Sequence, residues 1–237
     1  MKLIPINNIQ NVAVNVETYV YRGLNLITPD IEKIWKSTGT SGVLTLTVSS
    51  GDCVTLYNHN ADNTSITIQD LSGSTLAGPY TTDLSSYTYG NNNLWQEYTA
   101  QTSLHNIVVT LTNARENPLY CGVAFAGDMV EFRNPNSLLD LSYINNNVQY
   151  KLSSRSEKQL QKNIKKRFDT KVILPLEDDW FDIIRYLKNN VGFTPIPWLI
   201  LDSNYTTHNI YGYLDDFQQG AYNSPLNTSL PFGIVEQ

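Results

Sequence analysis

Residues that could do chemistry are scattered through this 237-residue chain, so their spacing decides what they can do. His59, His105 and His208 lie far apart, and none has a His, Cys or carboxylate at the spacing of a metal-binding pair such as HxH or HExxH. No metal site and no cofactor are expected. The nearest approach to a nucleophile elbow, GTSG at 39–42, lacks both the GxSxG pattern and its strand-to-helix setting. The carboxylate pairs Asp178/Asp179 and Asp215/Asp216 raise glycoside hydrolysis, which needs an acid and a base or nucleophile several ångströms apart. Adjacent residues of a strand point to opposite faces, so Asp215 and Asp216 cannot serve each other, while a helix start accounts for Asp178 and Asp179. No catalytic residue is therefore assigned, and the chain is not expected to be an enzyme.

Two groups suit binding. Tyr80, Tyr87, Tyr89, Trp95 and Tyr98 fall in a loop-rich stretch that also holds Asn91, Asn92 and Asn93. Aromatic faces offer CH contacts and amides offer directional hydrogen bonds, so Tyr87, Tyr89, Asn92 and Trp95 form a candidate carbohydrate site. The competing reading places Trp95 and Tyr98 in the core of the next strand. The second group is basic: eight Lys or Arg lie between Lys151 and Lys171. Glu157 and Asp169 interrupt the run and no aromatic platform accompanies it, so a solvated face or an acidic partner is favoured over nucleic acid. Lys165, Lys166 and Arg167 could meet Asp178 and Asp179 of a neighbouring copy, which makes these five a candidate assembly interface.

The elements that must position these groups are mostly strands. GVLTLTVSS at 42–50, CVTLYNH at 53–59, SITIQD at 65–70 and NIVVTLT at 106–112 alternate apolar with polar residues, which puts apolar side chains on one sheet face. Turn clusters separate them at the spacing of sandwiches, and a jelly-roll β-sandwich is expected over 1–126. After Gly127 the Thr-rich alternation stops, which marks a second domain over 127–237. In it, Ser153–Phe168 fits either a helix, by the spacing of Leu160, Ile164 and Phe168, or two strands around a polar turn, and strands are preferred. A helix is expected near 177–190: Glu177, Asp178 and Asp179 sit at its positive end, Phe181, Ile184 and Leu187 share a face, and Gly192 stops it. WLIL at 198–201 reads as a buried strand, NIYGYLDDF as its partner, and 230–235 as a closing strand. The fold class is mainly β: a jelly roll, then a β-rich α+β domain with one principal helix.

Composition agrees. Hydrophobic residues make up 41% and charged residues 16%, which suits a folded chain rather than a disordered one. The 15 Tyr with many Asn, Ser and Thr suit strands with one face buried and the other polar but uncharged. The formal net charge of −6 is shared between the halves, and nothing in it calls for nucleic acid. Cys53 and Cys121 read as buried free thiols. The first residues, MKLIPINNIQ, lack the apolar core of a signal peptide, and no apolar run is long enough to span a membrane, so synthesis in a cytosol without membrane insertion is expected.

The order of elements from 119 onward carries a resemblance. LYCGVAFAGDMVEF at 119–132, NIYGYLDDF at 209–217 and the terminal LPFGIVEQ resemble the second half of tail-tip proteins of tailed bacteriophages. In that family an "IGRLFLAG"-type strand precedes a domain that closes on a "GRL" strand and a terminal glutamate. Gly122, Val123, Phe125, Ala126 and Gly127 match the first element, Gly212, Tyr213 and Leu214 the second, and Phe232, Val235 and Glu236 the last. Ala124 and Tyr213 depart from it where the family has Arg. NIVVTLTNARENPLYCGVAFAG is similar to the back end of galactose-binding-like jelly rolls, which carry sugar sites in loops at one end. The resemblance implies a virion structural protein made in the host cytoplasm. It would assemble a tail tip or baseplate with other tail proteins and with copies of itself in a ring, trimer or hexamer, and would touch a host glycan. The alternative is a stand-alone carbohydrate-binding module.

Overall fold

The structure, a computed structural model, describes residues 2–16, 20–85, 92–114, 118–131, 140–144, 148–151, 157–160, 165–175, 194–200, 209–217, 221–224 and 227–237. In chain order its strands are β1 (Lys2–Leu3), β2 (Ile9–Val14), β3 (Trp35–Lys36), β4 (Ser41–Val48), β5 (Gly51–His59), β6 (Asn63–Gln69), β7 (Thr75–Asp83), β8 (Asn92–Gln101), β9 (His105–Thr112), β10 (Tyr120–Gly127) and β11 (Val130–Glu131). Then come β12 (Asp140–Ile144), β13 (Val148–Lys151), β14 (Glu157–Leu160), β15 (Lys165–Pro175), β16 (Ile196–Leu199), β17 (Asn209–Phe217), β18 (Ala221–Ser224) and β19 (Asn227–Glu236). The protein is mainly β, and the one helical element among the described residues is a 3-10 turn at Gly23–Ile27. No described helix is long and apolar enough to cross a membrane. The expected helix near 177–190, with Asp178 and Asp179, lies outside the described residues.

The chain divides into two compact units, residues 1–131 with 196–211, and residues 132–195 with 212–237. Each is therefore made of two separate stretches of chain.

The first unit is a β-sandwich of jelly-roll type. A five-stranded antiparallel sheet runs β2-β4-β9-β6-β7, and a four-stranded one runs β3-β10-β5-β8. The alternation in the sequence explains the first sheet. Leu44, Leu46 and Val48 of β4, Ile66 and Ile68 of β6, and Ile107, Val109 and Leu111 of β9 all join one buried cluster, while the residues between them remain partly open. From the second sheet the cluster takes Val54 and Leu56 of β5, Leu94 of β8, and Ala124 and Ala126 of β10. Fully burying each such aliphatic side chain contributes about 1.5–3 kcal/mol, so this interior is the main source of stability for the unit.

The four-stranded sheet is buried on both faces. Tyr57, Trp95, Val123 and Phe125 lie outside the main cluster, yet none is more than 7% exposed. Strand alternation aims them at the opposite face, which also carries Cys53 and Thr55. Residues from far along the chain meet this face. Tyr211 packs on Tyr57 with ring centroids 5.3 Å apart, and Lys2 reaches Glu97 of β8 at 2.9 Å. β1 itself lies between β11 and β16, with Leu3 opposite Val130 and Trp198. A strand covered on both sides has no reason to alternate, which explains the unbroken run CGVAFAG in β10. Cys53 and Cys121 are free and buried. They lie at opposite ends of the β5–β10 ladder, where Cys53 pairs with Gly127 and Cys121 with His59, so they are too far apart for a disulfide.

In the second unit β15 pairs with β12 on one side and β19 on the other, and β19 also pairs with β17 and β18. β13 and β14 form a separate hairpin. The region Ser153–Phe168 is thus built of strands in its described parts. The closing strand is as expected, and Gly212 accommodates the backbone of Val235, which a side chain there would strike.

Candidate functional site

One end of the sandwich gathers residues 37–40, 60–62, 84–85, 113–114 and 118–119, because β4 and β6 begin there while β7 and β9 end there. The turns are cross-pinned. The Asp62 backbone N–H donates to Thr112 O at 2.8 Å, and its own carbonyl accepts from Leu84 N–H at 2.6 Å. The Asp62 carboxylate, 4% exposed, takes the Ala114 N–H at 2.9 Å. Asn60 works in both directions, accepting from Tyr120 N–H at 2.8 Å and donating through Nδ2 to Pro118 O at 3.0 Å. Ser37 N–H donates to Leu119 O, Leu119 N–H to Gly39 O and Asn113 N–H to Thr40 O, all within 2.9 Å. Short polar side chains at turns bond well to nearby backbone, and here they join three loops into one platform.

Two of the candidate glycan residues, Tyr87 and Tyr89, lie outside the described residues. Described residues on either side of them belong to this platform. On one side Leu84 is buried and held by Asp62, and Ser85 N–H caps Asp83 Oδ1 at 2.9 Å. On the other side Asn92 opens β8 opposite His59, and Asn93 is buried, with Oδ1 accepting from Asn58 N–H at 3.4 Å and Nδ2 donating to Asn209 O at 2.7 Å. Trp95 is 5% exposed, and its indole N–H donates to Glu97 Oε1 at 3.1 Å. It is a packing residue of the covered sheet face and offers no ring to a ligand.

Asn58 holds the left-handed conformation, φ 54°, which Asn tolerates better than most residues. Its Nδ2 ties the platform to Ile31 O at 3.0 Å. Next to it His59 is fully buried, with Nδ1 accepting from Ala61 N–H at 3.3 Å and Nε2 without a partner. Burial holds its pKa down at about 4, so the ring is neutral at pH 7 and serves the loop as a hydrogen-bond acceptor. His105 is likewise buried, between Tyr98 Oη at 3.2 Å and Ser103 O at 2.8 Å. Burial pushes the Cys121 thiol up to about 12 and Cys53 well above its ordinary value, so neither is a ready nucleophile. Among the described residues no three His, Cys, Asp or Glu side chains converge to hold a metal ion.

The candidate assembly residues divide similarly. Lys165, Lys166 and Arg167 open β15, opposite Ile144, Tyr143 and Ser142 of β12, and Arg167 also pairs with Val235 of β19. Asp178 and Asp179 fall outside the described residues. Sequence reasoning missed Asp62, Asn60, Asn93 and Asn209 as site-building residues. The turn cluster NHNADN signals the first two, whereas the partners of Asn209 lie 116 and 152 residues away and leave no local signal.

No protein-family model matches the chain, and no curated protein matches it. Among solved structures it is similar to chitosan-binding module 1 of a chitosanase/glucanase from Paenibacillus sp. IK-5, with 13% identity and a TM-score of 0.41, over 53% of this chain and 98% of that one. It is similar to a Clostridium perfringens structure, CpGH89CBM32-4 in complex with GlcNAc-α-1,4-galactose, with 16% identity and a TM-score of 0.40, over 55% of this chain and 95% of that one. A structure of reduced XRCC1 bound to the DNA polymerase β catalytic domain is similar at 10% identity and a TM-score of 0.41, over 52% of this chain and 97% of that one. At such identities and TM-scores, the question of a ligand rests on the residues of this chain alone.

Proposed function

We propose that the protein is a non-catalytic binding protein whose jelly-roll unit contacts a glycan at the cross-pinned loop end. The observation that carries this reading is that the residues flanking Tyr87 and Tyr89 are fixed, Leu84 by Asp62 and Asn93 by Asn58 and Asn209. Anchors on either side of a ligand-contacting stretch reduce the ordering that binding has to supply. Tyr87 and Tyr89 supply the stacking groups and Asn92 the amide. The test is a glycan array probed with the intact chain, followed by calorimetry on the best ligand. Saturable binding lost in Tyr87→Ala and Tyr89→Ala, with unchanged thermal melting, supports the reading; binding that survives both variants sinks it.

A second reading, a structural protein of a phage tail tip, is favoured by a different observation. The jelly roll is closed by residues 196–211, so it is built into the chain rather than appended as a detachable module. Electron microscopy of native particles labelled with an antibody to the first unit tests it. Label at one end of a phage tail supports assembly, and label on no particle removes the reading.

A further inference from the structure

We propose that His59 is an acid-released latch on the loop end of the sandwich: a proton taken up by its ring frees the segment 60–62 and, with it, the neighbouring loops that Asp62 pins. The latch is a property of the loops themselves, so it does not rest on the glycan reading or on what the loop end binds.

The starting observation is how the ring is held. Its Nδ1 accepts the Ala61 N–H at 3.3 Å, so the neutral ring carries its hydrogen on Nε2, which is buried and has no partner. A second proton must therefore enter at Nδ1. It turns that acceptor into a donor facing the Ala61 N–H, and it leaves a charge in a fully buried site. The surroundings offer no compensation. Opposite His59 on β10 stands Cys121, whose thiol burial pushes up to about 12 and keeps neutral, and opposite it on β8 stands the uncharged Asn92. Asp62, three residues on, is the carboxylate of the same segment, and it is engaged with the Ala114 N–H. Burial alone sets the ring's affinity for protons, with no contribution from a charged residue among those described.

The geometry decides where the strain is relieved. β5 is held between β8 and β10, but its ladder with β8 shifts register between Leu56 and His59, and Asn58 holds φ 54° there. This is a hinge beside the ring. Beyond it the chain is fixed by a few bonds: Asn60 to Tyr120 and Pro118, Ala61 to the ring, and Asp62 to Thr112, Leu84 and Ala114. Expelling a charged ring lifts this segment about the hinge, while the strands of the main cluster keep their ladders. Leu84, which precedes Tyr87 and Tyr89 in the chain, then loses its anchor, and so does Ala114. Local opening of so few bonds takes less free energy than unfolding the sandwich. The closed ring titrates at about 4 and an exposed one at 6.5, so opening takes up a proton between those values. It becomes about tenfold more favourable with each pH unit below 6.5 and levels off beneath about 4.

The experiment is amide hydrogen exchange by NMR on the full chain, over a pH series that spans this window, for the wild type and for His59→Gln. The expected result is that Ala61, Leu84 and Ala114 are less protected than Leu44 and Val109 of the core strands at every pH. Protection of those three should fall together, about tenfold per pH unit. The glutamine amide oxygen can still accept from Ala61 but takes no proton, so His59→Gln should abolish the slope. Titration of Asp62 would look different, because its carboxylate accepts from Ala114 whereas Leu84 is held by its backbone carbonyl. Should the variant fold poorly, the wild-type pattern still decides. Protection of the three amides that ignores pH, a response confined to Ala114, exchange of the three only together with the core, or an unchanged slope in His59→Gln overturns the proposal. None of these outcomes touches the glycan reading, which stands or falls with Tyr87 and Tyr89.

Discussion

Tyr57 Oη donates a 2.6 Å hydrogen bond to Asn209 Oδ1 across 152 residues of sequence, and both side chains are fully buried. The same Asn209 accepts from Asn93 Nδ2 through its backbone carbonyl. One asparagine thus ties residues 196–211 to two strands of the jelly roll. Removing one partner of a buried hydrogen bond leaves the other unpaired, so Tyr57→Phe should cost about 1–3 kcal/mol. Urea midpoints should show this loss, and the double variant Tyr57→Phe/Asn209→Ala should lose less than the sum of the singles.

A fragment ending at residue 131 should not behave as a folded module. It keeps the main core but strips Tyr57, fully buried in the whole chain, of its partners Tyr211 and Asn209, and Asn93 of its acceptor. Uncovered aromatic surface binds hydrophobic dyes and promotes association. Strong dye fluorescence and aggregation on gel filtration are expected. A monodisperse fragment with a cooperative melt would show that residues 196–211 are dispensable.

Trp95→Ala should act on stability and spare binding. The indole is buried, so its truncation should cost about 3–5 kcal/mol. Trp95→Phe retains most of the packing but takes a donor from Glu97, leaving the Lys2 ammonium on that oxygen, and a smaller loss should follow. Glycan affinity of the fraction that remains folded should be unaltered; a tenfold loss in Trp95→Phe would put the indole in the site.

His59 makes stability depend on acidity. Its folded pKa of about 4 lies below the ordinary value of 6.5 because burial disfavours the charged ring, so the unfolded chain binds the extra proton first. The stabilisation from keeping the ring neutral is complete above pH 6.5, falls as the pH drops below that value, and is exhausted beneath about 4. The span corresponds to on the order of 3 kcal/mol. Denaturation midpoints of the wild type and His59→Gln should converge as the pH is lowered through this window, and parallel curves would exclude the ring as the source.

Gly42→Ala should destabilise the sandwich by overpacking. A Cβ at this position would strike the Trp35 ring, whose indole N–H is already fixed on Val16 O at 3.0 Å and cannot swing aside freely. Insertions into a packed core typically cost about 1–3 kcal/mol, which a thermal melt would register.

Much of the sandwich was legible because solvent writes alternation into one-sided strands. β4, β6 and β9 lie within two residues of the segments that their apolar rhythm marks out, and Leu44, Leu46 and Val48 face inward as that rhythm requires. In β10 the rhythm is absent and the run CGVAFAG signals burial without naming what covers it. The cover comes from both ends of the unit, at Lys2, Asn209 and Tyr211, and pairs of residues so distant leave no periodic trace. Trp95 shows the same limit: an aromatic beside three asparagines suits a sugar or a core equally well, and only the neighbour Glu97 separates the two roles. The platform itself was half visible, since NHNADN marks a turn but not that Asp62 would pin two other loops.

The two-stretch construction of the first unit also sets the order of events during synthesis. After residue 131 has been made, about 80 more residues must follow before Tyr211 can reach Tyr57, a delay of about 4–16 s at typical rates of about 5–20 residues per second. Throughout that interval Tyr57 and Asn93 of the nascent jelly roll lack their partners Tyr211 and Asn209, and the whole of the segment 132–195 is produced while they wait. A chaperone that recognises exposed aromatic side chains has its opportunity between those two moments.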